Sequence, residues 1–270
     1  MPAAPTLVEP EESTYPPDVY ESLVAVEDHH FWFRARNQAI VAAFESIRGR
    51  LRPGYRVLEV GCGTGNVLRD LQRAAVGGDV IGMDLHIEGL RYAKRRLAPP
   101  LLVRGDAGHP PFAVRFEVVG LFDVIEHLEH DVDVLRSLRG LLAADGYLLL
   151  TVPADPRLWS YFDVGSRHKR RYEKDELRGK LTAAGYSVEY LTPYMTVLHP
   201  VLWLGRRIAG RGHQHIDDSR EAWNLAGADL RVRPVSGAVL GLALRQEIRF
   251  VRRRIELPIG ASLLAIARVA

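Results

Sequence analysis

Three glycines within five positions follow a short apolar run that contains a single acid. The stretch reads VLEVGCGTGNVL, residues 57–68, with Gly61, Gly63 and Gly65 placed after Glu59. Clustered glycines mark a backbone that turns sharply or comes very close to another group. A strand, a glycine turn and a helix in this order open the nucleotide-binding βαβ unit. The stretch therefore predicts a small-molecule site with backbone walls.

The spacing of these glycines selects among cofactors. G-x-G-x-G differs from the dinucleotide fingerprint G-x-G-x-x-G, and Glu59 would repel a pyrophosphate. A cofactor with a cationic end and no phosphate suits this carboxylate better, and S-adenosylmethionine has both an α-amino group and a sulfonium. Asp84 ends the next strand, where an acid accepts hydrogen bonds from ribose hydroxyls. Asp106, in GDA after the third strand, is placed to accept from an adenine amino group.

Short apolar runs alternate with amphipathic stretches through most of the chain. Strand-like runs occupy residues 55–60, 79–85, 101–107, 116–122, 146–154, 186–194 and 261–269, and helical patterns occupy 66–76, 88–97, 131–143 and 173–185. This alternation predicts βαβ units, and the near-continuous apolar strands fit burial on both faces. We therefore predict an α/β fold, a Rossmann-like doubly wound sheet of about seven strands with a helical insertion between strands six and seven.

Four motifs at four consecutive strand ends resemble one family. VLEVGCGTG, Asp84, GDA and FEVVGLFDVIEHL together resemble the Rossmann-fold (class I) S-adenosylmethionine-dependent methyltransferases of the bacterial small-molecule type. The resemblance covers residues 31–194 and the final strand, and it implies that the final strand is antiparallel. It also implies a set of cofactor-binding residues: Arg36, Glu59, Gly61, Cys62, Gly63, Gly65, Asp84, Leu85, Gly105, Asp106, Ala107, Leu121 and Phe122.

The segment before the glycine turn carries a second resemblance. HHFWFRARN, residues 29–37, is similar to a histidine–aromatic–aromatic–Phe–x–x–Arg signature of bacterial methyltransferases found with cell-surface glycan and secondary-metabolite pathways. The resemblance implies N-terminal helices that close over the cofactor, with Arg34 or Arg36 meeting its carboxylate. Trp32 and Phe33 then either wall the pocket or make ordinary aromatic core contacts.

The end of the fourth strand resembles the ubiquinone-biosynthesis O-methyltransferases. Asp123, Glu126 and His127 match their pattern of an acid, two residues and Glu-His. The resemblance implies a divalent metal, Mg²⁺ or Zn²⁺, held by these three residues and lowering the pKa of an acceptor hydroxyl. The alternative is that Glu126 and His127 bond the backbone of the loop while the Phe122 ring lies near the adenine. His127 then still serves as a base.

Methyl transfer to a hydroxyl also needs a proton acceptor. The candidate bases are His127, His168 and Tyr172, the last two lying in SRHKRRY, residues 166–172. That segment fits a base beside an anion clamp. It equally fits a solvated loop whose Arg171 and Tyr172 cap the next helix.

The domain plan follows from shifts in composition. We predict a flexible leader at 1–17, a helical lid at 18–50, a cofactor-binding core at 51–194, a substrate cap at 195–260 and a final strand at 261–270. The cap segment holds eleven arginines and six acids. It contains two amphipathic stretches, the second with an apolar stripe ended by Pro258 and Gly260: Leu240, Leu244, Ile248, Val251 and Ile255. A dimer interface, a membrane-surface contact and ordinary packed helices are the alternatives.

The composition limits which partners and which cellular compartment we expect. Lys and Arg number 36 against 33 acids, a net charge of +3 that is too balanced to favour nucleic acid. Cys62 is the only cysteine, and the first 20 residues lack signal-peptide regions, so we expect a cytoplasmic protein. The apolar run 235–244 is too short to span a bilayer, which leaves peripheral membrane contact through 195–260.

These observations favour methylation of a small-molecule acceptor, at a hydroxyl in a secondary-metabolite or cell-surface glycan or glycolipid pathway. N- or C-methylation and a non-catalytic S-adenosylmethionine-binding protein remain as alternatives. A NAD-dependent oxidoreductase is disfavoured because the glycine spacing differs from the dinucleotide fingerprint.

Overall fold

The central element of the fold is a seven-stranded sheet in the order β3-β2-β1-β4-β5-β7-β6. The computed structural model describes residues 17–209, 222 and 234–270. The strands are β1 Arg56–Val60, β2 Asp79–Asp84, β3 Leu102–Arg104, β4 Phe116–Phe122, β5 Leu142–Pro153, β6 Tyr186–Tyr194 and β7 Ser262–Val269. β7 runs antiparallel to β5 and β6, and the pairs among β1 to β5 are parallel. The predicted doubly wound sheet with an antiparallel last strand is confirmed.

Helices cover both faces of this sheet. They are α1 Pro17–Glu27, α2 Phe31–Arg48, α3 Asn66–Ala74, α4 Ile87–Arg96, α5 Asp131–Arg139, α6 Tyr161–Gly165, α7 Lys174–Ala183, α8 Leu198–Ala209 and α9 Pro234–Arg252. Alternate strand residues point to opposite faces, so Val57 joins one apolar cluster and Leu58 the other. Two apolar layers therefore enclose the sheet, as the uninterrupted apolar strands predict.

The N-terminal helices are tied to the glycine turn by buried polar contacts. Glu27, at the end of α1, accepts hydrogen bonds from Thr64 Oγ1 at 2.8 Å and Arg96 Nη1 at 2.7 Å. Asn37 of α2 donates to Asn66 Oδ1 at 2.8 Å. Buried hydrogen bonds of this kind are costly to break, because each partner would be left unsatisfied. The contacts hold α1 and α2 over the end of the sheet where β1 stops.

The segment between β6 and β7 contributes two described helices. α9 packs along α2, and a Cβ added to Gly241 would lie 3.6 Å from Phe31 Cβ. Glu247 of α9 accepts the backbone amides of Thr196 and Val197, both at 3.1 Å, just before α8. His199 of α8 contacts Asp155 at 2.8 Å, directly after β5. The start of α8 therefore lies at the carboxyl edge of the sheet, and its role as a substrate cap stays a prediction.

Two predicted boundaries are wrong. The helix expected at 131–143 ends at Arg139, and β5 begins at Leu142, where it pairs with Phe116. The last helix ends at Arg252 rather than near Pro258, with Arg254 in the left-handed region at φ 54°. Ile255 consequently leaves the predicted apolar stripe and is 45% exposed, whereas Leu244 and Val251 are buried.

Part of the predicted domain plan lies outside the described residues. This holds for residues 1–16, most of the predicted leader, and for 210–221 and 223–233 within the predicted cap. Across the part of the chain that the structure describes, every helix is too short or too polar to cross a bilayer.

Candidate functional site

The predicted site residues gather at the carboxyl edge of β1, β2 and β4. Ligands in open α/β sheets bind at this edge, where the strand order reverses. Here the reversal falls between β1 and β4, because β2 and β3 lie on one side of β1 and the later strands on the other.

Glu59 lies at the centre of this edge and is fully buried. Its Oε2 has no hydrogen-bond partner within the described residues. Burial raises the pKa of Glu59 well above its ordinary value, and the positive charge of Arg36 only partly opposes this. An unpaired buried carboxyl is costly unless a ligand supplies the missing donor. The α-amino group of S-adenosylmethionine is a donor of the required charge, so this atom fits the cofactor.

The three glycines of the turn have different structural roles. All have positive φ: 73° at Gly61, 49° at Gly63 and 76° at Gly65. A Cβ on Gly61 would lie 2.5 Å from a methyl of Val124, and one on Gly65 would lie 2.8 Å from Ala93 Cβ. Both glycines are therefore required by packing. A Cβ on Gly63 would meet nothing within 4 Å among the described residues, so packing does not require this glycine, and its role in cofactor binding stays a prediction.

Asp84 is the last residue of β2, and its carboxylate points to the glycine turn. Its oxygens accept the amides of Gly63 at 2.7 Å and His86 at 2.8 Å. Burial raises the pKa of Asp84, and these amide bonds oppose the rise. Each carboxylate oxygen retains acceptor capacity, which is consistent with the predicted ribose contacts.

The side chain of Asp106, which is predicted to accept from the adenine amino group, is largely exposed. Its side chain is 56% exposed, and its oxygens accept from Gly108 N at 2.9 Å and lie 3.3 Å from His109 Nδ1. The flanking Gly105 and Ala107 are half-buried, as is Leu85 after β2. A Cβ on Gly105 would lie 2.7 Å from the Met83 sulfur, so packing alone requires this glycine.

Three of the predicted cofactor residues direct their side chains into the core. Cys62, Leu121 and Phe122 are 5%, 0% and 6% exposed and belong to the apolar layers. The Phe122 ring packs against Gly120, where an added Cβ would lie 2.7 Å from it, and its contact with the adenine stays a prediction.

Arg36, rather than Arg34, faces the site. Arg36 Nη1 lies 3.1 Å from Asp123 Oδ2, and its guanidinium stacks on the rings of Trp32 and Phe33 at 5.1 and 5.3 Å. Arg34 is exposed on another side of α2. Phe33 is buried and Trp32 half-buried, so both rings hold the arginine in position as well as contributing to the core. Arg36 fits the carboxylate of the cofactor.

A second cluster follows β4 and joins it to the segment after β5. The imidazole of His168 lies between Asp163, with Nδ1 3.0 Å from Oδ1, and Glu126, with Nε2 3.9 Å from Oε1. The ring of His127 stands edge-on to that of His168 at 4.8 Å. The structure thus brings together His127 and His168, two of the three predicted bases.

Asp163 positions His168 and is itself held on several sides. Arg171 Nε donates to Asp163 Oδ1 at 2.7 Å, and Ser160 N donates to Oδ2 at 2.9 Å. Burial alone would raise the pKa of Asp163, but His168 and Arg171 outweigh it and keep the pKa below its ordinary value. Sequence reasoning missed this residue. Its signal was the capping-box spacing from Ser160 to Asp163 at the start of α6.

Burial shifts the pKa values of Glu126 and His127 in opposite directions. Glu126 is wholly buried, both of its carboxyl oxygens lack hydrogen-bond partners in the described ranges, and burial raises its pKa well above the ordinary value. Burial, with the nearby charge of His168, lowers the pKa of His127 to about 3. His127 is therefore a weak base at neutral pH, and Glu126 tends to hold a proton.

Two predicted roles are contradicted. Tyr172 is wholly buried, its hydroxyl donates to Asp131 Oδ2 at 2.8 Å, and burial raises its pKa, so it supports the core rather than acting as a base. Asp123 is not part of the group with metal-ligand spacing, because its oxygens take Arg36 and the Thr151 hydroxyl. The group with that spacing consists of Glu126, His127 and His168, whose ligand atoms lie within 4.8 Å of one another.

The fold and the site together define a class I S-adenosylmethionine-binding enzyme. Residues 31–191 match the family model described as a methyltransferase domain. The chain belongs to this methyltransferase family and is an S-adenosylmethionine-dependent methyltransferase.

Similar proteins cover several kinds of methyl acceptor. The ubiquinone biosynthesis O-methyltransferase of Roseobacter denitrificans is 26% identical over 212 residues, 69% of this chain and 73% of that protein. The fatty-acid O-methyltransferase of Mycolicibacterium smegmatis is 38% identical over 108 residues, 38% of this chain and 39% of that protein.

Solved structures give the same fold. Phosphoethanolamine N-methyltransferase 2 of Haemonchus contortus, in complex with S-adenosyl-L-methionine, matches with a TM-score of 0.58 at 18% identity, over 96% of this chain and 58% of that chain. The possible histamine N-methyltransferase of Thermotoga maritima matches with a TM-score of 0.56 at 15% identity, over 94% and 95%. At these identities the likeness shows the fold alone.

The open position of Gly63 leads to a prediction. We expect Gly63→Ala to weaken binding of S-adenosylhomocysteine by about tenfold to a hundredfold, because its methyl group would enter the cofactor volume. Gly77→Ala is the matched control, since Gly77 also has a positive φ, 80°, and open space around it, but lies in the turn before β2. Both variants should lose about 1 kcal/mol of stability from the left-handed backbone. Calorimetric titration measures the affinity, and equal losses in the two variants would contradict the placement.

Proposed function

We propose that this methyltransferase methylates a hydroxyl of a small-molecule acceptor, with His168 as the general base. The carrying observation is the contact of Asp163 with Nδ1 of His168, at 3.0 Å, while Nε2 lies 3.9 Å from Glu126 Oε1 in the turn after β4 and is not held by a hydrogen bond at that distance. A carboxylate on one ring nitrogen orients the imidazole and stabilises its protonated form. The O-methyltransferase names of the two sequence relatives support oxygen as the acceptor atom.

Different residues of the site would bind the cofactor and accept the proton. Glu59 and Arg36 bind the amino and carboxylate groups of the cofactor, and the turn at Gly63 admits its body. S-adenosylmethionine would supply the methyl group, and the turn after β4 would lie beside it, because β4 is the neighbour of β1 in the sheet. Alignment of nucleophile and methyl provides most of the rate. His168 would accept the hydroxyl proton while the oxygen–carbon bond forms and the sulfur–carbon bond breaks, with S-adenosylhomocysteine as the leaving group. The neutral carboxyl of Glu126 can donate to the acceptor oxygen or to His168.

A metal-assisted reaction is the second candidate. The observation that favours it is the spacing of Glu126, His127 and His168 together with the two unpaired oxygens of Glu126. One carboxylate and two imidazoles suit Zn²⁺ better than Mg²⁺, which prefers oxygen ligands. Such an ion would lower the pKa of the acceptor hydroxyl.

A release assay for S-adenosylhomocysteine tests the proposal with matched acceptors. We expect turnover of phenolic or alcoholic compounds from quinone, polyketide and glycolipid classes, and none of their methyl ethers. Faster turnover of the corresponding amines would contradict O-methylation and favour the N-methyltransferase alternative. No turnover of any acceptor, despite tight cofactor binding, would favour a non-catalytic binding protein.

Treatment with a chelator distinguishes the general-base mechanism from the metal-assisted one. We expect turnover to be unchanged after exhaustive EDTA treatment and unaffected by added Zn²⁺ or Mg²⁺. Loss of turnover that Zn²⁺ restores would overturn the metal-free mechanism and assign Glu126, His127 and His168 as ligands. Metal analysis of the purified protein provides an independent reading of the same question.

A further inference from the structure

A cleft lined with arginines lies between α2, α3 and α9. Its volume is about 610 Å³, and its walls carry Arg73 of α3 and Arg245, Arg249 and Arg252 of α9. Val41, Ala74 and Ile248 supply apolar wall. Asp70 is the single acid among the described lining residues.

Two of these four guanidinium groups have no counter-charge among the described residues. Arg252 pairs with Glu45 at 3.0 Å, and Arg73 lies 3.5 Å from Asp70. Asp70 is shared, since it also accepts from Arg69 and Asn37. Arg245 and Arg249 make no ion pair or hydrogen bond with any residue in the described ranges. The cleft therefore carries an excess of positive charge.

The spacing of the arginines on α9 concentrates that charge. Positions 245, 249 and 252 follow each other at four and three residues, which places them on one helix face. This face borders the buried stripe that contains Leu244 and Val251. Like charges at such spacing destabilise a helix, whereas a shared anion between them removes the repulsion.

We propose that this arginine cleft binds a phosphate- or diphosphate-bearing anion. The planar forks of guanidinium groups match phosphate oxygens and bind them in pairs of hydrogen bonds. Arg245 and Arg249 provide the unpaired forks, and Arg73 faces them across the cleft from α3. Gln38 and Asn37 of α2 line the same space with amide groups.

The source of the phosphate is either a soluble diphosphate or the headgroup of a membrane lipid. Leu242 and Phe250 of α9 are also exposed, at 61% and 42%. Apolar side chains beside arginines are suited to the interface of an anionic bilayer. The two sources share the same chemistry in the cleft and differ in what surrounds it.

The test titrates the full-length protein with inorganic pyrophosphate at low ionic strength and measures binding by calorimetry. We expect saturable binding that falls at least tenfold for each of Arg245→Gln and Arg249→Gln, because each removes a charge-assisted contact. The control is Arg253→Gln, an exposed arginine of the turn after α9 that does not line the cleft. Its affinity should equal that of the wild type. S-adenosylhomocysteine is kept saturating, so that the cofactor site is occupied.

Co-sedimentation with vesicles identifies the source. Vesicles of phosphatidylcholine with 30% phosphatidylglycerol (about the anionic content that gives a strong surface potential) should retain the wild type and lose Arg245→Gln/Arg249→Gln if the ligand is a headgroup. Pyrophosphate binding without vesicle retention assigns a soluble ligand. Absence of both, or equal binding by all variants, overturns the proposal. No step requires methyl transfer, so the result is independent of the proposed acceptor.

Discussion

Replacement of His168 by asparagine is expected to lower kcat about a thousandfold, the usual contribution of a positioned general base. The asparagine amide can still donate to Asp163, so the segment after α6 keeps its anchor while the base is lost. The affinity for S-adenosylhomocysteine should stay within about twofold, since His168 lies on the acceptor side. Steady-state kinetics with calorimetry of the same variant separate the two effects.

Two neighbouring variants provide the controls for this result. His127→Asn should lower kcat by less than about tenfold, because a group with a pKa of about 3 is a poor proton acceptor at neutral pH. Tyr172→Phe should keep full kcat and lose about 1 kcal/mol of stability with its hydrogen bond to Asp131. If His168→Asn retains kcat within about threefold of the wild type, far less than the loss expected for a general base, His168 is not the base.

Glu59→Gln is expected to have opposite effects on cofactor binding and on the stability of the free protein. The affinity for S-adenosylmethionine should fall by about tenfold to a hundredfold, the value of a hydrogen bond between charged groups. The free variant should be more stable than the free wild type at pH 8. The reason is that the raised pKa of Glu59 makes ionisation unfavourable in the folded state, so wild-type stability declines as pH rises above the unfolded pKa.

The pH dependence and a truncated ligand make this prediction specific. As the pH falls towards the ordinary pKa of a glutamate, the destabilising effect of the raised pKa of Glu59 is lost, and the melting temperatures of variant and wild type should converge. Methylthioadenosine, which lacks the amino-acid end of the cofactor, should bind both proteins equally. Asp145→Asn is the control: it also removes one negative charge, but at an exposed position near the start of β5, and it should alter neither property. If the variant loses affinity for methylthioadenosine as strongly as for S-adenosylmethionine, Glu59 does not act through the amino-acid end of the cofactor.

The cofactor half of the site is largely local in sequence. Glu59 and the glycine turn are consecutive, and Asp84 and Asp106 each follow a strand, so strand order alone brings them to one edge. The metal and base assignments depend on long-range packing instead. Asp123 was expected beside Glu126, but Arg36, which is 87 positions away in the chain, takes its carboxylate. Tyr172, a predicted base, is instead buried beneath the turn after β4.

The sequence by itself determined the α/β class, the order of strands and helices, and the choice of S-adenosylmethionine over a dinucleotide. Each of these depends on periodicity or on residues that a short turn holds together. Only the tertiary structure decided which acids and histidines meet, because that depends on where loops after different strands converge. It brought His168 against Asp163 and Glu126, turned Arg36 rather than Arg34 to the site, and assembled four arginines from α3 and α9 into one cleft. Burial then set the proton affinities of Glu59, Glu126 and His127, since desolvation depends on the packed surroundings and not on residue type.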